Sequence, residues 1–255
     1  MQVALIQAPL IWERPELNRN YFESKINLIS SDVNLIVLPE MFTTGFTMNP
    51  IPVAESMKGE TVSWLVNLAK ATKTAITGSI VIKEHSNFYN RMFFAFPSGA
   101  IQYYDKRHLF TLAGEHKHYN AGTTKTMVEY LGWRICLLIC YDLRFPVFSR
   151  NNADYDLLLY VANWPKIRIN AWDSLLKARA IENMSYVIAV NRIGEDQNGH
   201  SYVGHSQVID CMGDYLIAPE ECEAVFTTTL DHSILLKTRK KFGFLDDKDN
   251  FEIKD

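Results

Sequence analysis

Apolar positions fall in short blocks along this chain, and their spacing changes from block to block. Residues 3–6 form a continuous apolar run that stops before Pro9 and predicts a strand. Over 17–29, Leu17, Tyr21 and Leu28 recur with Phe22, Ile26 and Ile29 at helical spacing, so a helix follows. Residues 34–38 are apolar without alternation, as expected of a strand covered on both faces. The run ends in Pro39-Glu40, and MFTTGF after it reads as loop. Residues 60–73 place Val62, Leu65, Val66 and Ala69 in one helical stripe. Strands are predicted over 75–82 and 89–96; Ser98-Gly99 turns the chain, and 100–104 pairs back. That strand closes on Asp105-Lys106-Arg107, and the polar segment 113–122, with its His and Gly, reads as loop.

The second half repeats this idiom without repeating the sequence. Residues 133–139 predict a strand, 145–151 a short helix and 157–162 a strand ending in Asn163-Trp164-Pro165. Residues 171–183 form a helix with Trp172, Leu175, Leu176 and Arg179 on one side. A strand over 186–191 precedes a polar turn over 194–199. Residues 206–210 and 224–229 read as strands with Met212-Gly213-Asp214 turning between them, and 232–241 is a closing helix. No helical or strand period runs through the acidic, phenylalanine-containing tail, which reads as an arm that docks on a neighbour. We therefore expect one domain over 1–245 and a C-terminal arm over 246–255. Helices alternating with strands and hairpins predict an α/β fold, accommodated by two sheets face to face with helices outside each.

Composition narrows the function classes. A 255-residue chain that is 47% hydrophobic can bury a full core. The net charge of -3, with no basic run beyond 237–241, argues against a nucleic-acid partner. No apolar run reaches the ~18 residues of a membrane span, and the opening MQVALIQAPLIW reads as a strand rather than a leader. Cys136, Cys140, Cys211 and Cys222 form no CxxC pair, so we expect reduced thiols in a cytoplasmic protein.

Candidate chemistry sits where strands end. LLICYDLRFP, residues 137–146, is an apolar run that delivers Cys140 and then turns polar. At the end of an α/β strand, a side chain can face the crevice where ligands sit. A thiol there, at the start of a helix, has the usual conditions for a lowered pKa and nucleophilic use. A buried structural cysteine is the alternative. Two other predicted strands end in Glu40 and Lys106, either of which could instead be a solvated surface charge. Brought to one mouth, the three suit attack on an amide-type carbon. The carboxylate takes the thiol proton, the thiolate attacks, and the ammonium faces the developing oxyanion.

LPEMFTTGF, YDKRHLF and ICYDLRFP together resemble the three signature segments of the nitrilase superfamily, the carbon–nitrogen hydrolases, in order, spacing and strand-end context. The resemblance runs from Val3 to about Leu245. It implies a four-layer αββα sandwich of the nitrilase type, a homodimer, and a triad of Glu40, Lys106 and Cys140. It also implies an assisting Glu115 and an oxyanion contact from the backbone N–H of Tyr141; every step of such a mechanism uses protein groups and water, so no cofactor or metal is expected. GEHKHY, CYDLRFPVFSRN and ANWP followed by a long helix resemble the omega-amidase branch, which deamidates 2-oxoglutaramate and 2-oxosuccinamate to the 2-oxo acids and ammonia. In that setting Arg144 would meet the substrate carboxylate and Trp164 would wall the pocket. One departure is Val147, where many relatives carry glutamate after the RFP proline.

Three other readings compete. His108, His116, His118 and Cys136 are close enough in sequence to suggest zinc, although no second ligand pair completes a tetrahedral set. The chain could be a carbamoyl-amine hydrolase or an aliphatic amidase. It could also be a non-catalytic redox sensor or scaffold on the same fold, although retention of all three reactive groups argues against that.

Overall fold

The computed structural model describes residues 1–253 as two six-stranded sheets packed face to face. In the first sheet β1 (Gln2–Gln7), β2 (Leu35–Val37) and β3 (Ala75–Glu84) run parallel, and β4 (Asn87–Ala95) and β5 (Ile101–Asp105) follow as antiparallel hairpins. In the second, β6 (Met127–Tyr130) pairs antiparallel with β7 (Trp133–Ile139), which runs parallel to β8 (Leu157–Ala162) and β9 (Tyr186–Asn191). A separate hairpin, β10 (Ile193–Glu195) and β11 (Ser201–Val203), leads into β12 (Gln207–Ile209) and β13 (Tyr215–Ile217). Then β14 (Ala224–Thr229) returns to the first sheet, antiparallel to β1. The strand orders are therefore β14-β1-β2-β3-β4-β5 and β13-β12-β9-β8-β7-β6.

Alternation within the strands divides the core into layers. Val3, Leu5, Leu35, Val37, Met92 and Phe94 point inward and pack with Ile135, Leu137 and Ile139 of the second sheet. Ala4, Ile6, Ile36 and Phe93 point outward, against Phe22 and Ile26 of α1 (Pro15–Ile26) and Val62, Leu65 and Ala69 of α2 (Glu60–Thr72). On the far side, α4 (Ile169–Asn183) presents Trp172, Leu176 and Ala180; the short α3 (Pro146–Ser149) precedes it. The strand LLLYVA of β8 is buried at every position because both of its faces are covered. α5 (His232–Phe242) starts at Asp231, whose carboxylate accepts from the N–H groups of Ser233 and Ile234. It crosses the N-terminal ends of the second sheet, where Arg239 bonds the carbonyls of Met184 and Tyr155 and pairs with Asp156 at 2.9 Å. The opposite, C-terminal, strand ends stay open for a site.

The four-layer sandwich agrees with the expected architecture. Several local expectations need correction. The first helix begins at Pro15, which suits the first helical turn because no N–H is needed there; it buries Phe22 and Ile26, leaves Leu17 exposed, and ends at Ile26, before the exposed Leu28. The segment read as a polar turn over 194–199 is partly strand, since β10 passes through Gly194. β6 and β13 were not anticipated; each is short, with polar or exposed positions, because it is an edge. The turn at Met212-Gly213-Asp214 joins β12 to β13, not to β14. In the tail the rings of Phe242 and Phe244 stack at 5.3 Å, and Lys248 reaches Asp154 at 3.5 Å. The last two residues of the expected arm, 254 and 255, lie outside the described residues. Among the described residues no helix is long and apolar enough to cross a membrane.

Candidate active site

Four strand ends meet at the open end of the sandwich. β2 leads through Leu38-Pro39 to Glu40, β5 to Lys106, β7 to Cys140 and β8 to Asn163. Two of these ends have unusual backbone. Cys140 has φ +44° and Met41, directly after Glu40, has φ +43°, a region that non-glycine residues occupy only when their surroundings impose it. At Met41 the imposing contacts come from β3: Ser79 Oγ accepts from the Met41 N–H at 2.8 Å and Ser79 O from the Phe42 N–H at 3.0 Å. Gly78 makes this approach possible, because a Cβ there would sit 2.9 Å from that of Leu38. At Cys140 the chain passes straight from β7 into a 3-10 turn, Cys140–Arg144, stapled by Asp142, whose Oδ2 accepts from the Ile139 N–H at 2.9 Å.

The charged groups form one buried network. Lys106 Nζ lies 2.9 Å from Glu40 Oε1 and 3.0 Å from the Glu115 carboxylate, and all three side chains are fully buried. Glu40 also accepts from Asn90 Nδ2 at 2.7 Å and from the Asn163 N–H at 2.7 Å, while Asn163 Nδ2 donates to the Glu40 carbonyl at 2.6 Å. Glu115 accepts from the Phe110 N–H at 2.6 Å. Glu40 also acts on the Cys140 thiol, both by its charge and as a hydrogen-bond acceptor that favours the protonated sulfur. Burial works against the Lys106 ammonium, but the charges of Glu115 and Glu40 outweigh it and hold its pKa above the ordinary lysine value. Burial raises the Glu115 pKa, and the Lys106 charge opposes the rise.

The thiol contradicts one expectation. Burial, followed by the Glu40 charge, pushes the Cys140 pKa well above its usual value, and Lys106 offsets only part of this. The lowered pKa expected from a helix start does not arise, because a dry site beside a carboxylate disfavours a second negative charge. In the resting site the proton stays on sulfur, with an acceptor next to it.

Cys140, at 9% exposed, is reached from a cavity with about 490 Å³ of empty space, including its open mouth. Its floor holds Lys106, Cys140 and Asn163; its walls include Tyr141, Arg144 and Trp164. The Arg144 guanidinium lies 5.0 Å from the Trp164 ring centre. Asp142, the carboxylate that could have tied Arg144 into the loop, is taken by other donors. It accepts from Tyr104 OH at 2.8 Å and from the His108 N–H at 3.1 Å, and it lies 2.7 Å from His108 Nδ1.

All seven residues singled out in the sequence therefore come together: Glu40, Lys106, Glu115 and Cys140 at the base, Tyr141, Arg144 and Trp164 on the walls. The suggested zinc ligands do not. Cys136 is a core residue of β7, His108 is held by Asp142 and stacked on Phe145 at 3.7 Å, and His116 and His118 line a separate surface depression. Among the described residues no three His, Cys, Asp or Glu side chains are grouped to hold a metal ion. Sequence reasoning missed Asn90 and three further residues that line the cavity, Arg168, His200 and Tyr202, and took Asn163 only as the close of a strand. Asn163 stands at a fourth polar strand end and could have been found by the rule that found the other three. Asn90 lies inside β4 and carries no such signal.

Comparison with known proteins places this geometry. The family model for carbon-nitrogen hydrolase matches residues 2–240. The chain is 44% identical to the omega-amidase YafV of Yersinia enterocolitica, over 98% of each chain. It is 32% identical to the 2-oxoglutaramate amidase of Bacillus subtilis, over 96% of each. A crystal structure of a CN-hydrolase superfamily protein from Xanthomonas campestris, which carries an arsenic adduct in its active site, superposes with a TM-score of 0.97 at 43% identity. It covers 100% of this chain and 99% of that one. In fold alone, a nitrilase-superfamily protein of Saccharomyces cerevisiae matches with a TM-score of 0.83 at 23% identity, covering 95% of this chain and 94% of that one. The chain thus belongs to the carbon-nitrogen hydrolase family, on an α/β sandwich of the nitrilase type.

Proposed function

We propose that the protein is an omega-amidase that hydrolyses the terminal carboxamide of 2-oxoglutaramate or 2-oxosuccinamate to the 2-oxo acid and ammonia, with Cys140 as nucleophile. The observation that carries this reading is the meeting of Glu40, Lys106 and Cys140 beneath a cavity walled by Arg144 and Trp164. The resting thiol passes its proton to Glu40 as sulfur attacks the amide carbon. Charge develops on the carbonyl oxygen, opposite the Lys106 ammonium and the backbone N–H of Tyr141. The latter is in the first turn of the 3-10 segment, where helix-start N–H groups have no intrahelical acceptor. Glu40 returns the proton to the departing nitrogen, which leaves as ammonia, and a thioester remains. Water then attacks the thioester carbon, Glu40 takes its proton, and collapse restores the thiol and releases the carboxylate product.

Glu115 is fixed by the Phe110 N–H and shares Lys106 with Glu40. In this mechanism it holds the ammonium in place while Glu40 changes protonation state. Arg144 offers a fork of N–H donors to the far carboxylate, with its guanidinium over the Trp164 ring. No step calls for a cofactor or a metal. A nucleophilic thiol must stay reduced, which accords with a cytoplasmic setting and with four unpaired cysteines. We take the working form to be a homodimer, with domain 1–245 forming the body and the arm from 246 docking on the neighbour.

Ammonia release tests the reading. Wild type is offered 2-oxoglutaramate, 2-oxosuccinamate, a carbamoyl amine, an aliphatic amide and a nitrile, beside Cys140→Ala. The omega-amides should be turned over with the highest kcat/KM, and the variant should release none. A clear preference for the carbamoyl amine or the aliphatic amide would replace the substrate assignment and keep the chemistry. Turnover by Cys140→Ala would remove both.

A further inference from the structure

We propose that Arg168 is a second carboxylate-binding residue, forming with Arg144 a two-guanidinium clamp for the end of the substrate that does not react. This inference rests on the reading of the site as one for amides that carry a far carboxylate.

The two arginines come from different elements. Arg144 ends the 3-10 turn that begins at Cys140, and Arg168 ends the 3-10 turn Lys166–Arg168 that leads into α4. Both line the cavity above Cys140, and both are laid on an aromatic ring at 5.0 Å, Arg144 on Trp164 and Arg168 on Phe110. Neither guanidinium has a carboxylate partner among the described residues. None of the described residues that line the cavity is Asp or Glu. The Lys106 charge below them is already matched by Glu40 and Glu115. The upper cavity therefore carries two positive charges without a counter-charge. A guanidinium that lies over a ring and pairs with no acid keeps its fork of N–H groups available to a carboxylate.

Arg168 is tied to the rest of the site in two ways. Its carbonyl accepts from Trp164 Nε1 at 2.8 Å, which fixes the ring beneath Arg144. Its side chain lies on Phe110, whose N–H holds Glu115 against Lys106. One residue thus orders the support of the other arginine and sits on the support of the reacting end. Packing of a rim arginine on an aromatic ring would explain one such contact. It does not explain two in the lining of one cavity that holds no acid among its described residues.

The product 2-oxoglutarate is an unreactive probe that carries the same far end. Its affinity for wild type, Arg144→Met, Arg168→Met and Arg168→Lys is measured by titration calorimetry, with thermal melting as a check on folding. Arg168→Met should weaken binding by roughly 10- to 100-fold, the loss of a charge-assisted pair. Arg168→Lys, which keeps the charge and loses the fork, should fall between it and wild type. In turnover, kcat/KM for 2-oxoglutaramate should fall far more in Arg168→Met than kcat/KM for the neutral hexanamide. Equal losses on both amides, unchanged affinity in Arg168→Met, or no binding of 2-oxoglutarate by wild type would each overturn the clamp. Should Arg168→Met not fold, wild-type affinity in Arg168→Lys would overturn it. Failure of the omega-amidase reading is seen separately: wild type would bind 2-oxoglutarate through Arg168 and yet leave 2-oxoglutaramate intact.

Discussion

The two sheets share one plan: an antiparallel edge, three parallel strands, then two antiparallel strands, as β14-β1-β2-β3-β4-β5 and β6-β7-β8-β9-β12-β13. What the plan delivers at the site differs. The first sheet supplies buried charge, Glu40 after its second parallel strand and Lys106 after its last strand. The second supplies a neutral thiol after its first parallel strand and a neutral amide, Asn163, after its second. The second parallel strands meet across the divide, since Asn163 bonds both the carboxylate and the carbonyl of Glu40. The proposed proton acceptor and nucleophile thus come from different sheets and are held in register by the core between them. A buried ammonium with two carboxylates is weak evidence for stability and better evidence for function, because desolvating three charges is costly.

Removing the neutral partner gives the largest effect. Cys140→Ala should abolish turnover with the fold kept, since it removes only a thiol at the base of a cavity. Mass spectrometry of trapped wild type should find the acyl group on Cys140. An adduct on Cys136, Cys211 or Cys222 would reassign the nucleophile. Removal of the charged partners comes next. Glu40→Gln fills the same space without taking a proton, so acylation should fail. Lys106→Ala should cost on the order of 10²–10³ in kcat, as other oxyanion donors do. It also leaves Glu40 and Glu115 facing each other, so circular dichroism must show a folded protein before the rate is read. Near-normal kcat in either variant would remove that residue from the mechanism.

Why the sequence revealed so much of this follows from strand ends. Glu40 and Cys140 close apolar runs and Lys106 closes an aromatic one, and a strand's direction is written in that run. The core strands were legible for the same reason, β8 most plainly. Lost were features set by the partner rather than by the local pattern. β6 and β13 are strands only because an edge needs a partner, and β10 is one only because β11 folds back on it. Leu17 and Leu28 fit the helical period, yet solvent takes them because α1 meets the sheet through Phe22 and Ile26. The Cys140 pKa was misjudged because a helix start is visible in sequence while a carboxylate from the other sheet is not. Arg168 is spread over a turn and a cavity that no spacing rule describes.

Two smaller effects probe the wall and the bond between the sheets. Arg144→Met keeps an apolar stem and deletes the charge. It should lower kcat/KM for 2-oxoglutaramate by roughly 10²-fold, about 3 kcal/mol, and lower that for hexanamide much less. Equal losses would mean that Arg144 holds the loop. Asn163→Ala removes the side-chain bond to the Glu40 carbonyl and leaves the backbone bond to its carboxylate. A loss on the order of 10-fold in kcat is expected, with little change in KM, because the acceptor is less well aimed. A pure KM effect would place Asn163 in substrate binding instead.

The last effect is on stability, and it follows the buried thiols with pH. Two buried thiols, Cys136 and Cys140, belong to the second sheet, one on β7 and one at its end. Burial holds Cys140 well above the usual thiol range and pushes Cys136 up to about 12. A group whose folded pKa is raised adds stability that is fully present below its unfolded pKa and is lost as pH rises through the folded value. The unfolded thiols titrate near 8.5, so the loss starts there. Lys106 of the first sheet is also raised, but its unfolded value is about 10.4, so it is silent until higher pH. Between pH 8.5 and 10 Cys136 and Cys140 should therefore each contribute a fall of ~2 kcal/mol by pH 10, beside smaller falls from the buried tyrosines, whose unfolded value is about 10. Urea unfolding of wild type and Cys140→Ala at pH 7 and pH 10 reads this directly. Cys140→Ala should lose ~2 kcal/mol less than wild type over that interval. An equal loss in the two proteins would mean that Cys140 ionises in the folded state as readily as in the unfolded chain, and the picture of a protonated resting thiol would have to be withdrawn.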